Sequence, residues 1–315
     1  MGRFAGKDIL STEGLSRDEI EEILGEAKWM LGVIERRTSL NLMAGRILAT
    51  LFFQTSTRTR LSFESAMQRL GGSVLGFASA DSSRATGPRA ETLEDTIRTV
   101  DQYADVIVLR HPDTGAATRA AGVAVAPVLN GGDGTNQHPS QGLLDTYTIW
   151  HEKGTLDGLT IGMVGDLRST RGMHSLVHCL SNFHSRLILV SPEQLRFDDS
   201  VKRVLKSKKV EFEEATDVDR VIKELDVMYV TRLNKEGAGE DYEALLKSYP
   251  RITLALVNQG KKDLIVMHDL PRTDELGLQI AADVDDSPYA RYFQEMKYGV
   301  AVRMAMLALT QGVVG

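Results

Sequence analysis

The sequence predicts an α/β protein of two domains, each with a parallel sheet flanked by helices. Short apolar runs alternate with stretches of helical periodicity along the chain, which indicates parallel strands joined by right-handed crossovers. The length of 315 residues, of which 42% are hydrophobic, also exceeds what one hydrophobic core usually holds. We therefore expect a first domain at residues 1–142, joined by a C-terminal helix at 290–315, and a second domain at 143–289.

The elements of the first domain follow from their periodicity and their bounding residues. Ser16 and Glu19 have the spacing of a helix capping box, and apolar residues recur at helical spacing after them. The apolar run 47–53 predicts a buried strand, and the helix that follows it ends at the glycines 71–72. Further strands are expected at 74–77, 105–109 and 123–129, and further helices at 91–103 and 140–153.

The second domain repeats the alternation of strand and helix. Strands are expected at 159–164, 186–190, 227–230 and 264–267, with helices at 173–182 and 289–308. In parallel sheets of this kind, ligands bind beyond the carboxyl ends of the strands. Polar residues fall at or after these ends throughout the chain, at 56–59, 110–111, 138, 171, 232 and 268. This repetition indicates one active site between the two domains, and we expect the last helix to pack on the first domain.

The composition argues against several classes of partner. A net charge of −6 and a sequence pI near 5.7 do not suggest the basic patch of a nucleic-acid-binding protein. No run reaches the ~20 apolar residues of a membrane span, and the N-terminal residues lack the apolar core of a signal peptide. The single cysteine, Cys179, excludes an intrachain disulfide and disfavours a structural zinc site. We expect a cytoplasmic protein with no nucleic-acid and no membrane partner.

An anion-binding site is predicted where the first strand meets its helix. Backbone N–H groups at a helix N-terminus attract anions. The hydroxyls of Ser56, Thr57 and Thr59 add donors there, and Arg58 adds a guanidinium fork. The segment is therefore a phosphate cradle without a Walker lysine. Taken alone, it is equally compatible with a Ser/Thr-capped helix that carries a surface arginine.

Further candidates follow other strands. Arg110 ends a strand, either as a second positive charge on the same anion or as a solvated residue. His138 begins a helix after a glycine-rich loop, where a neutral imidazole can donate to a carbonyl oxygen that gains negative charge, unless it is satisfied locally. Gln141, one turn later, can bind an amide. Arg171 and Arg232 would suit an acceptor with two carboxylates if they converge, although each alone fits a surface residue.

Together these segments resemble the motifs of the aspartate and ornithine carbamoyltransferases. The matching segments occur in the family's order and span nearly the whole chain: 53–59 (FQTSTRT), 108–112 (VLRHP), 136–141 (NQHPSQ), 165–167 (GDL) with 171 and 174–176 (HSL), 229–232 (YVTR) and 267–272 (MHDLPR). The chain looks like the aspartate branch. The ornithine branch typically has His-Cys-Leu-Pro where this chain has His-Asp-Leu-Pro at 268–271, and it lacks the Thr231-Arg232 pattern.

The resemblance implies the aspartate/ornithine carbamoyltransferase fold and a role for each matching residue. The first domain would bind carbamoyl phosphate through Ser56, Thr57, Arg58, Thr59, Arg110, His138, Gln141 and, from a neighbouring subunit, Arg89. Catalysis would rest on Arg58, Thr59, Arg110 and His138. The second domain would bind the amino-acid acceptor through Arg171, Arg232, Asn234, Asp269 and Leu270, the last through its backbone carbonyl.

The activity implied is transfer of the carbamoyl group to the amine of L-aspartate, which gives N-carbamoyl-L-aspartate and phosphate for pyrimidine synthesis. The family needs no metal and no cofactor, because its chemistry is positioning and electrostatics. Its members are homotrimers with active sites shared across subunits, sometimes joined to regulatory or dihydroorotase chains. Two alternatives stay open: a carbamoyltransferase for another amino acid or amine, and a weakly active paralogue that serves as a structural or regulatory subunit.

On the donor side, two pairs of positions depart from the family pattern. Gln54 stands where the family has Glu, and Gly237 stands where an arginine that pairs with this Glu belongs. Losing both members of a bridge is milder than losing one, so a changed closure mechanism is expected. Ala85 and Arg89 stand where a neighbouring subunit usually brings a serine and a lysine to the phosphate. Arg keeps the charge of that lysine but not its geometry.

On the acceptor side, Asn234 replaces a Gln and Asp269 replaces a Pro. A carboxylate at position 269 is expected to take the proton of the amine, or to bind an additional cationic group, and to repel a plain dicarboxylate. The alternative is that the Asp269 side chain points away and only its backbone matters. The acceptor half therefore matches the family less well than the donor half.

Overall fold

The computed structural model describes residues 2–82, 90–235, 239–272 and 279–315 of the chain. The chain divides into two compact units. Unit 1 comprises Met1–Tyr147 with Met296–Gly315, and unit 2 comprises Thr148–Glu295. Among the described residues, no helix is both long enough and apolar enough to cross a membrane.

Unit 1 is built on a parallel sheet in which the described residues form four strands in the order β2-β1-β3-β4. The strands are β1 (Ile47–Phe52), β2 (Ser73–Phe77), β3 (Val106–His111) and β4 (Val128–Asp133). Every residue of β1 after Ile47 is buried, as expected for a parallel strand that is covered on both faces. The carboxyl ends of β1, β3 and β4 therefore lie side by side at one edge of this sheet.

The helices of unit 1 precede, connect and follow these strands. They are α1 (Arg17–Glu35), α2 (Thr57–Arg69), α3 (Leu93–Val100), α4 (Ala116–Ala121), α5 (Pro139–Lys153), which continues into unit 2, and the C-terminal helix (Gln294–Thr310), which starts at the end of unit 2. The predicted capping box at α1 is confirmed. The Ser16 N–H donates to Glu19 Oε2 at 2.9 Å, and the Glu19 N–H donates to Ser16 Oγ at 3.2 Å.

Unit 2 is built on a second parallel sheet, in which the described residues form five strands in the order β7-β6-β5-β8-β9. The strands are β5 (Thr160–Val164), β6 (Arg186–Val190), β7 (Glu211–Ala215), β8 (Val227–Val230) and β9 (Ile265–His268). The helices are α6 (Arg171–Leu180), α7 (Asp199–Ser207), α8 (Tyr242–Ser248) and α9 (Leu254–Val257). Short 3-10 turns lie at Ala80–Ser82, Glu193–Leu195, Gly239–Asp241 and Ala282–Val284.

The predicted fold class is confirmed, and several element boundaries were wrong. The strand expected at 123–129 is Val128–Asp133, because Asn130 donates to Asp133 at 2.9 Å and this polar pair is thereby buried within the strand. The edge strand β7 was not predicted, because its sequence is mostly exposed glutamate. The helices α4, α7, α8 and α9 were not predicted either. The helix expected to start near residue 289 begins at Gln294.

Candidate active site

The start of α2 carries the first predicted site. Ser56 is the N-cap with an extended backbone, and its side chain makes no capping hydrogen bond within the described part of the chain. The first N–H groups of a helix have no acceptor inside the helix, so they remain available to an anion. Thr57 and Arg58 are exposed beside them, whereas Thr59 is buried. This geometry favours the phosphate-cradle interpretation of residues 56–59.

Arg110 lies at the same edge of the sheet as the start of α2. The Phe53 N–H donates to the Arg110 carbonyl oxygen at 2.9 Å, which ties the residue after β1 to the end of β3. The Arg110 guanidinium donates from Nη1 to the Gly131 carbonyl oxygen of β4 at 3.0 Å. Contacts to both neighbouring strands therefore hold this charge at the carboxyl edge.

His138 contacts the cradle directly. Its Nε2 lies 3.3 Å from Thr59 Oγ1, and its Nδ1 lies 3.4 Å from Ser140 Oγ. The imidazole and both hydroxyls are buried, so the ring orientation is defined by the two contacts. Because a hydroxyl both donates and accepts, either neutral tautomer of the histidine is compatible with this arrangement.

Asp133, which was not predicted to belong to the site, shapes the loop that carries His138. Its carboxylate is buried and accepts from the N–H of Gly115 at 2.8 Å, from Asn130 Nδ2 at 2.9 Å and from the N–H of Gln137 at 3.3 Å. A buried carboxylate that accepts several backbone hydrogen bonds fixes the path of the surrounding chain. The signal in the sequence is an aspartate among turn residues, which often bonds to its own backbone.

Gln141 and Arg303 line one cavity together with Arg58 of the cradle. Gln141 Nε2 donates to the fully buried Asp145 at 2.8 Å. Arg303, from the C-terminal helix, is 3% exposed and packs over the Phe63 ring at 5.2 Å. Burial lowers the pKa of Arg303 to about 10, and the negative charge of Asp145 opposes that shift.

A cavity of about 250 Å³ is lined by residues from both predicted and unpredicted parts of unit 1. Arg58, Arg303 and Gln141 contribute charged and amide groups, two serines contribute hydroxyls, and apolar side chains such as Leu144 complete the wall. The structure thus brings Arg58 and Gln141, two residues of the site predicted in the first domain, to one concave surface. Arg303 was missed because an arginine inside an otherwise apolar helix gives no local motif.

In unit 2, Arg171 and Arg232 follow adjacent strands. Arg171 is the first residue of α6, after β5, and Arg232 is the second residue after β8. The strand ends are tied together because the Thr231 N–H donates to the Val164 carbonyl oxygen at 2.9 Å. The hydroxyls of Thr170 and Thr231 also lie 3.3 Å apart. The two arginines are therefore attached to neighbouring, mutually bonded points of the same sheet edge.

Asp269 and Leu270 come to the same edge from β9. Asp269 Oδ2 lies 3.5 Å from Arg232 Nη1, and the same Nη1 donates to the Leu270 carbonyl oxygen at 3.4 Å. Leu270 has a positive φ of 47°, and its N–H donates to His268 Nδ1 at 2.8 Å. The Asp269 side chain thus lies beside Arg232, at the edge where the acceptor-binding residues are expected.

Asp166 and Tyr249 support this edge, and neither residue was predicted to have a role there. The fully buried Asp166 carboxylate accepts from the N–H of Ser169 at 3.0 Å and from the N–H of Asn234 at 3.1 Å. The Tyr249 hydroxyl accepts from the Asp166 N–H and donates to the Thr231 carbonyl oxygen at 2.9 Å. Burial raises the pKa of Tyr249, which keeps the phenol protonated and able to donate.

The close approach of Tyr249 also explains one glycine. Gly165, directly after β5, has a φ of 119°, and a Cβ placed on it would lie 2.3 Å from the Tyr249 hydroxyl oxygen. Only glycine combines this backbone conformation with this lack of space.

Three positions singled out in the sequence, Ala85, Arg89 and Gly237, lie outside the described residues. Gln54 lies within them and is half-buried, two residues before Ser56. Among the described residues, no group of three or more His, Cys, Asp or Glu side chains is arranged to hold a metal ion. Cys179 is buried within α6.

Comparisons with known proteins cover both units. Residues 7–151 match the family model "Aspartate/ornithine carbamoyltransferase, carbamoyl-P binding domain", and residues 157–310 match "Aspartate/ornithine carbamoyltransferase, Asp/Orn binding domain". The chain is 49% identical to the aspartate carbamoyltransferase catalytic subunit of Thermococcus gammatolerans, over 98% of either chain. It is 48% identical to the same subunit of Thermococcus kodakarensis, over 99% of either chain.

Solved structures are similar to this chain over nearly its whole length. Aspartate transcarbamoylase from Trypanosoma cruzi in complex with N-(phosphonacetyl)-L-aspartic acid superposes with a TM-score of 0.91 at 39% identity, covering 98% of this chain and 97% of that one. The complex of the same enzyme with carbamoyl phosphate and aspartate superposes with a TM-score of 0.90 at 40% identity, covering 98% of both chains.

Proposed function

Because the chain belongs to the aspartate/ornithine carbamoyltransferase family, we propose that its two strand-end clusters bind the two substrates of a carbamoyl transfer. The enzyme transfers the carbamoyl group of carbamoyl phosphate to the amine of L-aspartate and releases N-carbamoyl-L-aspartate and phosphate. The observation that carries the assignment of the donor is the cluster at one sheet edge in unit 1, where the open N-terminus of α2, Arg110 and His138 meet.

The phosphate of the donor binds at the start of α2 in this proposal. The N–H groups of the first turn, the hydroxyls of Ser56, Thr57 and Thr59, and the Arg58 guanidinium supply donors for its oxygens. Arg110 adds a second positive charge that its contact with Gly131 holds in place. No metal or cofactor takes part in this reaction.

The carbamoyl carbonyl is polarised by His138 and Arg110. The uncharged amine of aspartate attacks the carbonyl carbon, and negative charge develops on the carbonyl oxygen. Fixed donors aimed at such an oxygen lower the barrier, and removing one of them typically costs about 10²–10³ in rate. The bond from carbon to the phosphate oxygen then breaks, and the nitrogen loses a proton to the departing phosphate. Gln141 holds the amide of the carbamoyl group.

The acceptor binds to the strand ends of unit 2. We assign its carboxylates to Arg171 and Arg232, with Asn234 beside them, because guanidinium groups bind carboxylates in a bidentate fashion. The Leu270 carbonyl oxygen accepts from the amine. Asp166 and Tyr249 act as positioning residues, since they hold Thr231 and Asn234 without belonging to the proposed contact set.

The quaternary arrangement is part of the proposal. We assign the chain to a cytoplasmic homotrimer with active sites shared between neighbouring subunits, and we assign Arg89, which lies outside the described residues, a role in binding the donor phosphate. A mass near three times the chain mass of 34.7 kDa in light scattering supports this assembly, and a monomer contradicts it. The same measurement detects regulatory or dihydroorotase-like chains that co-purify, because they add to the mass of the assembly. The product places the enzyme in pyrimidine synthesis.

A second candidate, transfer to another amino acid or amine, is favoured by one observation, the Asp269 carboxylate next to Arg232. A weakly active paralogue that binds the donor is a third. The test is to incubate the protein with carbamoyl phosphate and a panel of amino acids and to follow phosphate release. Turnover with L-aspartate and not with L-ornithine supports our proposal. Turnover only with another amine contradicts it, and donor-dependent thermal stabilisation without any turnover points to the paralogue.

A further inference from the structure

Asp269 is held against Arg232 by the architecture of unit 2. Asp269 directly follows β9, and its Oδ2 lies 3.5 Å from Arg232 Nη1. The Asp269 side chain is 13% exposed and the Arg232 side chain 35% exposed. Opposite charges attract more strongly at such partly buried positions than at a fully hydrated surface.

The carboxylate has further fixed neighbours. Its Oδ1 accepts from the Thr231 hydroxyl at 3.3 Å and lies 3.5 Å from His268 Nδ1. Thr231 is fully buried directly after β8, and His268 is fully buried at the end of β9, where its N–H donates to Glu295 at 3.2 Å. The position of the Asp269 carboxylate is thus set by two adjacent strand ends and not by a loose surface loop.

A second carboxylate cannot join Arg232 at no cost. Two carboxylates that share one site repel each other, so one must move away or take a proton. The acceptor proposed above brings two carboxylates to this edge. When one of them approaches Arg232, it meets a guanidinium whose Nη1 already faces the oxygen of Asp269.

We propose that Asp269 is an internal carboxylate ligand of Arg232, and that it sets the affinity for the acceptor because the acceptor must displace it. This inference rests on the proposed function, since it takes Arg232 as a ligand of the acceptor. Asp269 acts as a specificity-determining residue. It disfavours dicarboxylates relative to acceptors that have an uncharged group in the place of that carboxylate.

The experiment measures the binding of succinate, which carries both carboxylates of aspartate and no amine. Its Kd is determined by calorimetry with the whole protein saturated with carbamoyl phosphate. Asp269→Asn keeps the size of the side chain and removes the charge, and we expect its Kd to be about five- to tenfold lower than that of the wild type. Asp199→Asn makes the same change at the exposed start of α7, and its Kd stays at the wild-type value.

A second variant distinguishes the loss of the charge from a disturbance of the fold. Asp269→Ala also removes the charge, and its Kd shifts in the same direction. A Kd that is unchanged or higher in both variants, with melting temperatures near that of the wild type, overturns the proposal. Arg232→Ala separates this failure from a failure of the proposed function. If Arg232→Ala leaves the succinate Kd unchanged, the assignment of Arg232 to the acceptor is wrong, whatever Asp269 does.

Discussion

Removing the hydroxyl of Tyr249 tests whether a single buried phenol holds together the ends of β5 and β8, where we propose that the acceptor binds. Tyr249→Phe keeps the ring and its packing, so the change is confined to two hydrogen bonds. One joins the hydroxyl to the Asp166 N–H, and the other joins it to the Thr231 carbonyl oxygen. Both Asp166 and Thr231 are fully buried, so water cannot replace the lost partner without a rearrangement.

The expected magnitude follows from these two groups. A buried donor or acceptor left unsatisfied costs about 1–3 kcal/mol. A carbonyl oxygen tolerates the loss better than an N–H, because it has two lone pairs. We therefore expect Tyr249→Phe to lower the free energy of unfolding of unit 2 by about 2–4 kcal/mol. With a slope of about 2 kcal/mol per M urea, the unfolding midpoint falls by about 1–2 M.

The assay uses the two tryptophans, of which one lies in each unit. Trp29 belongs to unit 1 and Trp150 to unit 2. In a Trp29→Phe background, the fluorescence of Trp150 reports the urea unfolding of unit 2. Tyr103→Phe removes an exposed hydroxyl and serves as the matched control, with a change within about 0.5 kcal/mol.

The same variant has a functional readout. Because Tyr249 holds Asp166 and Thr231, its loss is expected to weaken acceptor binding while the Kd for carbamoyl phosphate stays at the wild-type value. A loss of stability below about 0.5 kcal/mol, equal to that of the control, would refute the reasoning about the two buried partners.

Two further predictions concern charged side chains. Arg303→Met leaves the fully buried Asp145 without the positive charge of Arg303 and removes the contact of Arg303 with Ser140, so unit 1 should lose about 1–3 kcal/mol of stability. The fluorescence of Trp29 in urea measures this loss, and a value below about 0.5 kcal/mol contradicts the expectation. The bidentate hydrogen bond from Arg272 holds the pKa of Asp285 below its ordinary value, so this pair stabilises unit 2 above the unfolded pKa of about 3.9 and loses its effect as the pH falls through the lower folded pKa. Asp285→Asn should therefore cost about 1–2 kcal/mol at pH 7, discounted for the 24% exposure of the side chain, and this cost should fall as the pH drops through the lowered folded pKa; a cost that does not change with pH contradicts the ion pair.

The fold and the strand-end chemistry were accessible from the sequence for a physical reason. Buried parallel strands are short apolar runs, so β1 and β5 stand out, and the polar residues that follow them must lie at one sheet edge. Thr59, which follows β1, and His138, which follows β4, were both expected at the carboxyl edge of this sheet, and the structure places them in contact. The resemblance to a family then added roles that spacing alone left open.

The supporting residues could not be predicted, because their partners are distant in the chain. Tyr249 contacts Asp166 across 83 positions, and Arg303 contacts Ser140 across 163. Nothing in the local sequence of either residue announces such a pairing. The edge strand β7 was missed for a different reason. It is exposed and charged, so its sequence shows no apolar pattern.

The central claim, that the start of α2 binds the carbamoyl donor for transfer to aspartate, is tested most directly by following the label of ¹³C-carbamoyl phosphate into N-carbamoyl-L-aspartate. We expect the wild-type enzyme to form this product, and Arg58→Ala to form it at least about 10²-fold more slowly. Arg69→Ala, at the other end of the same helix, should retain the wild-type rate. Absence of labelled product with the wild type, or equal rates for the wild type and Arg58→Ala, would contradict the account.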